Sequence, residues 1–370
     1  MKRLFLFLVV SLSVGILPYA MAEESLSDQS SDSAKGIEER LKRLEESVGQ
    51  QVEGEKWYDR IEVSGLVEVE AGYGETDFDD PTLEDDKTGD IDLTTVELGL
   101  DAKIVHHLDG HVLFKYSDDD VFVDEGFVTL TGSEAFPLYL IAGRQYLPFG
   151  KFESHFIADP TTLTLGETNE GAVVAGYRLE DEVLDISVGA FNGRAQEAGD
   201  DDTIDSFVAA LGVKPFEGLA LGASYISNLA GSDGFNEVVV DSDNLDSLVD
   251  GWGIYGTYEF LDRFKLIGEY VAALDNFQVG EIYAETDTRG RKPSAWNVEF
   301  GVALTDTLEL AARYGGSDDG GDLLSEREYG AVINWGFFEN TNLAIEYLHS
   351  DFESDVQEVD QVTAQLSLEF

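Results

Sequence analysis

The stretch Val362-Thr-Ala-Gln-Leu-Ser-Leu-Glu-Phe370 alternates without a break. Val362, Ala364, Leu366, Leu368 and Phe370 fall on one face of an extended strand, and Thr363, Gln365, Ser367 and Glu369 on the other, because successive side chains of a strand point to opposite sides. A two-faced strand finishing on an aromatic is the ending expected of an outer-membrane β-barrel, whose last strand closes against the first. The alternative is an edge strand of a soluble sandwich.

The same period of two runs back through the chain to Ile61. It marks strands at roughly 61–73, 91–105, 110–117, 121–131, 138–147, 171–179, 183–192 and 203–213. A second set follows at roughly 218–228, 250–260, 263–273, 294–304, 307–315, 326–335, 341–349 and 359–370. His106-His-Leu-Asp-Gly110, Lys214-Pro-Phe-Glu-Gly218, Leu261-Asp262 and Thr305-Asp306 make tight connections, whereas 74–90, 148–170, 229–249 and 274–293 are long and polar. That alternation fits short periplasmic turns and longer external loops. The expected fold is all-β: a transmembrane antiparallel β-barrel of about sixteen strands over residues 57–370, wide enough for an aqueous lumen.

The faces of several strands can be assigned. Val173/Ala175/Tyr177, Ile186/Val188, Leu221/Ala223/Tyr225, Val298/Phe300/Val302 and Ile345/Tyr347 are expected to meet lipid. Arg178, Asp185, Lys265, Glu269, Glu299, Glu309, Arg313 and Glu346 lie between the apolar positions and are expected to point inward, with Arg144. The reason is energetic, since a charge at the lipid midplane costs about 2–4 kcal/mol. Trp57, Trp252, Trp296 and Trp335 fall at expected strand ends, where aromatic girdles meet head groups.

At the other end, Lys2-Arg3, the apolar run Leu4 to Leu17 and Ala20-Met-Ala22 read as a signal peptide, residues 1–22, cleaved after Ala22. Residues 23–56 combine a Ser/Asp/Glu-rich segment, expected to be disordered, with Ile37, Leu41, Leu44 and Val48 at heptad spacing. The latter make a short periplasmic helix, either a trimerising coiled coil or a single helix against the barrel mouth. No run of about 18 apolar residues follows, so a membrane role falls to strands.

Charge narrows the partners. The chain has 75 Asp and Glu against 23 Lys and Arg, a net charge of -52, and no Cys. Nucleic acid is disfavoured by repulsion from its phosphates, and disulfides are absent. The acid concentrates in Asp77–Asp90, Glu197–Asp205, Asp241–Asp250 and Asp318–Glu328. It records either cation preference or a saline habitat.

Chemistry-bearing motifs are scarce. No nucleophile elbow, phosphate loop or zinc spacing appears, and neither an enzyme nor a cofactor is expected. His106-His107-x-x-x-His111 belongs to an expected solvated turn rather than a metal site. Asp241-Ser-Asp-Asn-Leu-Asp246 begins like a calcium loop, but lacks the central Gly and has Trp252 where the closing Glu belongs.

One connection differs in kind. Gly143-Arg-Gln-Tyr-Leu-Pro-Phe-Gly-Lys-Phe-Glu-Ser-His-Phe-Ile-Ala-Asp-Pro-Thr-Thr-Leu-Thr-Leu-Gly-Glu-Thr168 mixes aromatic, charged and hydroxyl residues, and by count enters the third external loop. Long loops of this composition are usually functional. The stretch resembles that of the LbtU family of outer-membrane siderophore porins at Gly143, Tyr146, Pro148-Phe-Gly150, Phe152, Asp159-Pro160, Thr162-Leu163 and Leu165-Gly-Glu-Thr168. The resemblance implies a plugless barrel that admits ferric siderophores. In porins the third loop commonly folds inward, and here it would place Lys151, Glu153, His155 and Asp159 beside the solute. The expected partners are outer-membrane lipid, a small solute such as a ferric siderophore and, through the heptads, two further copies in a homotrimer. A cation-preferring general diffusion porin is the competing expectation, and a structural or adhesion barrel with a plugged interior is a third.

Overall fold

The computed structural model describes residues 57–78, 86–117, 120–179, 182–199, 203–283, 289–352 and 358–370. The expected signal peptide, the disordered segment, the seam of Ile37, Leu41, Leu44 and Val48, and the side chain of Trp57 lie outside the described residues. The first eight strands are β1 (Ile61–Asp77), β2 (Asp86–Val105), β3 (Leu108–Ser117), β4 (Asp120–Ser133), β5 (Phe136–Tyr146), β6 (Asn169–Arg178), β7 (Leu184–Phe191) and β8 (Ser206–Phe216). The remaining eight are β9 (Leu219–Ile226), β10 (Gly251–Phe260), β11 (Phe264–Ala273), β12 (Ser294–Thr305), β13 (Leu308–Asp318), β14 (Arg327–Phe338), β15 (Thr341–Asp351) and β16 (Glu358–Glu369). Each pairs antiparallel with its chain neighbour, and β16 returns to β1, giving a closed barrel. The sixteen segments read from the alternation are these sixteen strands.

Closure is set by the stretch that opened the reading. Register runs from Leu66↔Glu369 to Asp77↔Glu358. Beyond it, the Gly65 and Phe370 backbones exchange hydrogen bonds of 2.9 and 3.0 Å. A closed sheet leaves no edge whose backbone groups lack partners, which is why a barrel is stable in hydrocarbon.

The outer face carries the apolar half of each alternation. Val173, Ile186, Val188, Leu221, Val298, Phe300, Ile345 and Tyr347 are all exposed there. The register is therefore the expected one, since a slip of one residue would exchange every face.

Three expectations need correction. Residues 86–90, read as loop, form the start of β2 and pair with Gly72–Thr76 of β1. Cross-strand pairing satisfies that backbone whatever its side chains, and Lys87 offsets the local acid through a 2.6 Å ion pair with Glu75. The long connections 229–249 and 274–293, read as polar, hold Leu229, Phe235, Leu245 and Phe277 of an apolar cluster, which Ala195 and Leu324 join from the connections 192–205 and 319–326. Their hydrophobic residues are too sparse for a periodic signal and meet only because neighbouring strands deliver the loops side by side. Finally, of the three histidines read together with the turn, His111 stands inside β3, within the strand read at 110–117: its ring stacks on Phe127 and its Nδ1 lies 2.7 Å from Asp101 Oδ1.

Candidate functional site: a loop folded across the lumen

Residues 147–168 join β5 to β6 as the third connection at the long-loop end. Leu147 N donates to Thr168 O at 2.8 Å, pinching the loop at its base. Pro148-Phe-Gly then turns the chain. Gly150 has φ +74°, and the Phe152 ring occupies the space where its Cβ would stand, so no other residue fits without strain. The far arm of the loop forms a short helix, α1 (Thr161–Gly166). A Cβ at Gly166 would meet the Phe149 and Phe152 rings at 3.0 and 3.1 Å, so Pro148-Phe-Gly-Lys-Phe152 and Leu165-Gly166 lock the two arms together. Phe149 and Leu165 are buried there. Much of this stretch thus has a folding role.

From this base the loop crosses to the opposite wall. Gly150 N donates to Ser224 Oγ on β9, at 3.0 Å. On β11, Glu269 accepts the N–H groups of Lys151 and Phe152 at 2.7 and 2.8 Å. On β12, Glu299 accepts Ser154 Oγ–H and His155 N–H at 2.8 and 2.7 Å. Glu346, on β15, accepts the N–H groups of Ile157 and Ala158 at 2.6 and 3.3 Å. Three inward glutamates therefore take up backbone donors that an irregular segment cannot satisfy internally.

Arg313 of β13 completes the anchorage. Its Nε is 3.0 Å from Glu299, its Nη1 3.1 Å from Glu328, and its Nη2 donates to Ala158 O at 2.8 Å and Ser154 Oγ at 2.6 Å. The guanidinium also sits 4.3 Å from the Phe156 ring centroid. The Arg313 and Glu299 side chains are 0% exposed. Along with Glu269 and Glu346 they were expected to line open lumen; they lie beneath the loop instead, because its backbone competes with water for their hydrogen bonds.

The other expected residues are spread around this framework. Lys265 pairs with Glu153, and His155 Nδ1 lies 2.7 Å from Glu309 Oε1. Arg144 donates from Nε to Asp124 O at 3.2 Å. Arg178 does not join these anchors: it lies 2.6 Å from Asp185 and over the Tyr139 ring. Lys151 and Asp159 remain exposed on the loop. Asp159 is nevertheless surrounded by protein, and this confinement raises its carboxyl despite the opposing fields of Arg313 and Lys115. Burial pushes Glu167 up to about 7, reinforced by Asp159 and Asp233. Among the described residues, His349, Asp351 and Glu358 could bring metal-ligand atoms within 4.8 Å of one another, but His349 already bonds to Asp351 and Asp360.

Sequence reasoning missed the wall left uncovered. Glu68 and Glu70 of β1, Glu97 of β2 and Lys115 of β3 all stay partly exposed on the inner face. The signal was present in the alternation Leu66-Val-Glu-Val-Glu70, but was not extended to sites. Glu70 accepts from Gln365 Nε2 at 2.9 Å, and Lys115 Nζ is 3.6 Å from Glu97 Oε1.

No family model matches the chain. A UPF0422 protein of Coxiella burnetii is 25% identical over 306 residues, covering 78% of this chain and 64% of that protein. A UPF0422 protein of Legionella pneumophila (strain Lens) is 23% identical over 326 residues, 78% of this chain and 58% of that one. The chain thus spans about three fifths of the length of these relatives. Among solved structures, the outer-membrane channel DcaP of Acinetobacter baumannii superposes with a TM-score of 0.59 at 15% identity, over 84% of this chain and 97% of that one. An anion-selective porin from Comamonas acidovorans gives 0.58 at 11% over 84% and 99%, and Salmonella typhi OmpF in complex with daunomycin 0.57 at 13% over 84% and 97%. The fold is the closed sixteen-stranded barrel that these porins share.

Proposed function

We propose that this chain is an outer-membrane porin, and that the loop 147–168 is its constriction. The observation that carries the reading is the crossing of the lumen by that loop, held through Glu269, Glu299, Arg313 and Glu346 on the far wall. An exposed apolar outer face and an inner face of carboxylates and cations support a lipid-embedded channel with an aqueous interior. Assembly as a homotrimer through Ile37, Leu41, Leu44 and Val48 belongs to the same proposal.

Within that class, the resemblance of Gly143–Thr168 to the siderophore porins favours a ferric siderophore as the solute. A second reading, a cation-preferring general porin, is favoured by the uncovered carboxylates of Glu68, Glu70 and Glu97. Purified protein in planar bilayers and in liposomes separates these. Stepwise single-channel currents are expected, with flux of a ferric chelate exceeding that of an uncomplexed sugar of similar size. A folded barrel that passes no current would reject the channel; equal flux of the two solutes would leave only the general porin.

A further inference from the structure

The loop divides the inner surface unequally. At the level of the loop anchors the wall of β11 to β15 is sealed, with Glu299 and Arg313 0% exposed and Val271, Ala295 and Val332 buried with them; only beside the short turns do Lys265 and Glu309 keep 26% and 34% exposure. The apolar cluster of the connections 192–205, 227–250, 274–293 and 319–326 stands at the long-loop end of this same side. Across the lumen, the inward side chains of β1 to β3 stay wet, with Glu97 at 23% and Lys115 at 27% exposure. On the loop, Asp159 is exposed and lies near enough to Lys115 and Glu70 to feel their charges.

We infer that solute crosses the barrel along the β1–β2–β3 wall, through a passage bearing carboxylates on both faces, and that Lys115, set among them, determines its charge selectivity. This rests on the porin reading and names its solute class. Carboxylates on two sides of a confined, poorly screened path reinforce one another's potential, and one ammonium weakens it without reversing it. Neutral and cationic solutes enter such a path readily; polyanions do not. Ferric tris-hydroxamates, neutral at the metal core and cationic when the chain ends in an amine, therefore fit, whereas ferric tris-catecholates, which are polyanions, are turned away.

The absence of native Cys makes the route testable by single-site labelling. Glu70→Cys and Lys115→Cys should react with a charged methanethiosulfonate reagent, with the current falling by about half or more, whereas Val271→Cys beneath the loop should stay unmodified. Lys115→Glu should raise the cation-to-anion permeability ratio severalfold, and flux of the amine-bearing ferric tris-hydroxamate should exceed that of the tris-catecholate by about tenfold or more. Conducting channels indifferent to modification at positions 70 and 115, or a selectivity unmoved by Lys115→Glu, would overturn the inference and leave the porin reading intact. No current from a folded wild-type barrel would overturn both.

Discussion

Glu269 on β11 accepts the backbone N–H groups of both Lys151 and its neighbour Phe152, so one wall carboxylate holds a segment 118 positions away in sequence at 2.7 Å. Truncation to Glu269→Ala removes both acceptors. The loss is expected to cost about 1–3 kcal/mol, less where lumen water substitutes. Trypsin should then cut after Lys151 in the variant but not in the wild type, while the barrel keeps its heat-modifiable mobility on gels.

Arg313 is the stronger test of the anchorage. Replacement by Met strands the buried Glu299 and Glu328 carboxylates beside each other, and removal of one partner from such a group costs about 3–5 kcal/mol. Arg313→Lys should not restore it, because an ammonium cannot present the planar fork used here by Nε, Nη1 and Nη2. Unfolding midpoints in detergent would show both variants well below wild type, with Arg313→Lys the milder.

Glu167 gives the loop a pH dependence. Its carboxyl is raised from 4.5 to about 7, mainly by burial. Below the lower value it is protonated in folded and unfolded chains alike, and its contribution to stability is fully present. As pH rises through the upper value the buried group must ionise near Asp159 and Asp233, and that contribution is lost. Between about pH 5.5 and about pH 8 the loss should be about 2 kcal/mol or less, allowing for solvent screening. Glu167→Gln should flatten this part of the profile in thermal unfolding at the two pH values.

At the seam of the barrel, a Cβ on Gly65 would enter the Phe370 ring. Gly65→Ala is expected to weaken closure by about 1–3 kcal/mol through overpacking. Combining it with Phe370→Ala should recover part of that loss, since the two changes share one contact. The folded fraction after refolding into detergent, read for both singles and the double, checks the coupling.

The strands were legible because their signal is local. Alternation with period two needs only the chain itself, and Val362 to Phe370 carries it as clearly as the rest. The inward set of Lys265, Glu269, Glu299, Arg313 and Glu346 followed from the same pattern, since a charge cannot face lipid cheaply. Less was legible at the ends of elements: the first residues of β2 are acidic and read as loop, and only the partner strand makes them extended.

By itself, then, the sequence determined the barrel, its strand order and which side chains turn inward, all consequences of short-range alternation and of the cost of charge in lipid. The tertiary structure decided what those side chains meet. Glu299 and Glu70 have the same chemistry and both point inward, yet one is sealed under the loop and the other faces water. That difference arises from where residues 147–168 land after crossing the lumen, through contacts between positions more than a hundred residues apart, such as Ile157 with Glu346. Local periodicity carries no information on such contacts, because loop closure across a barrel depends on the geometry of the finished sheet.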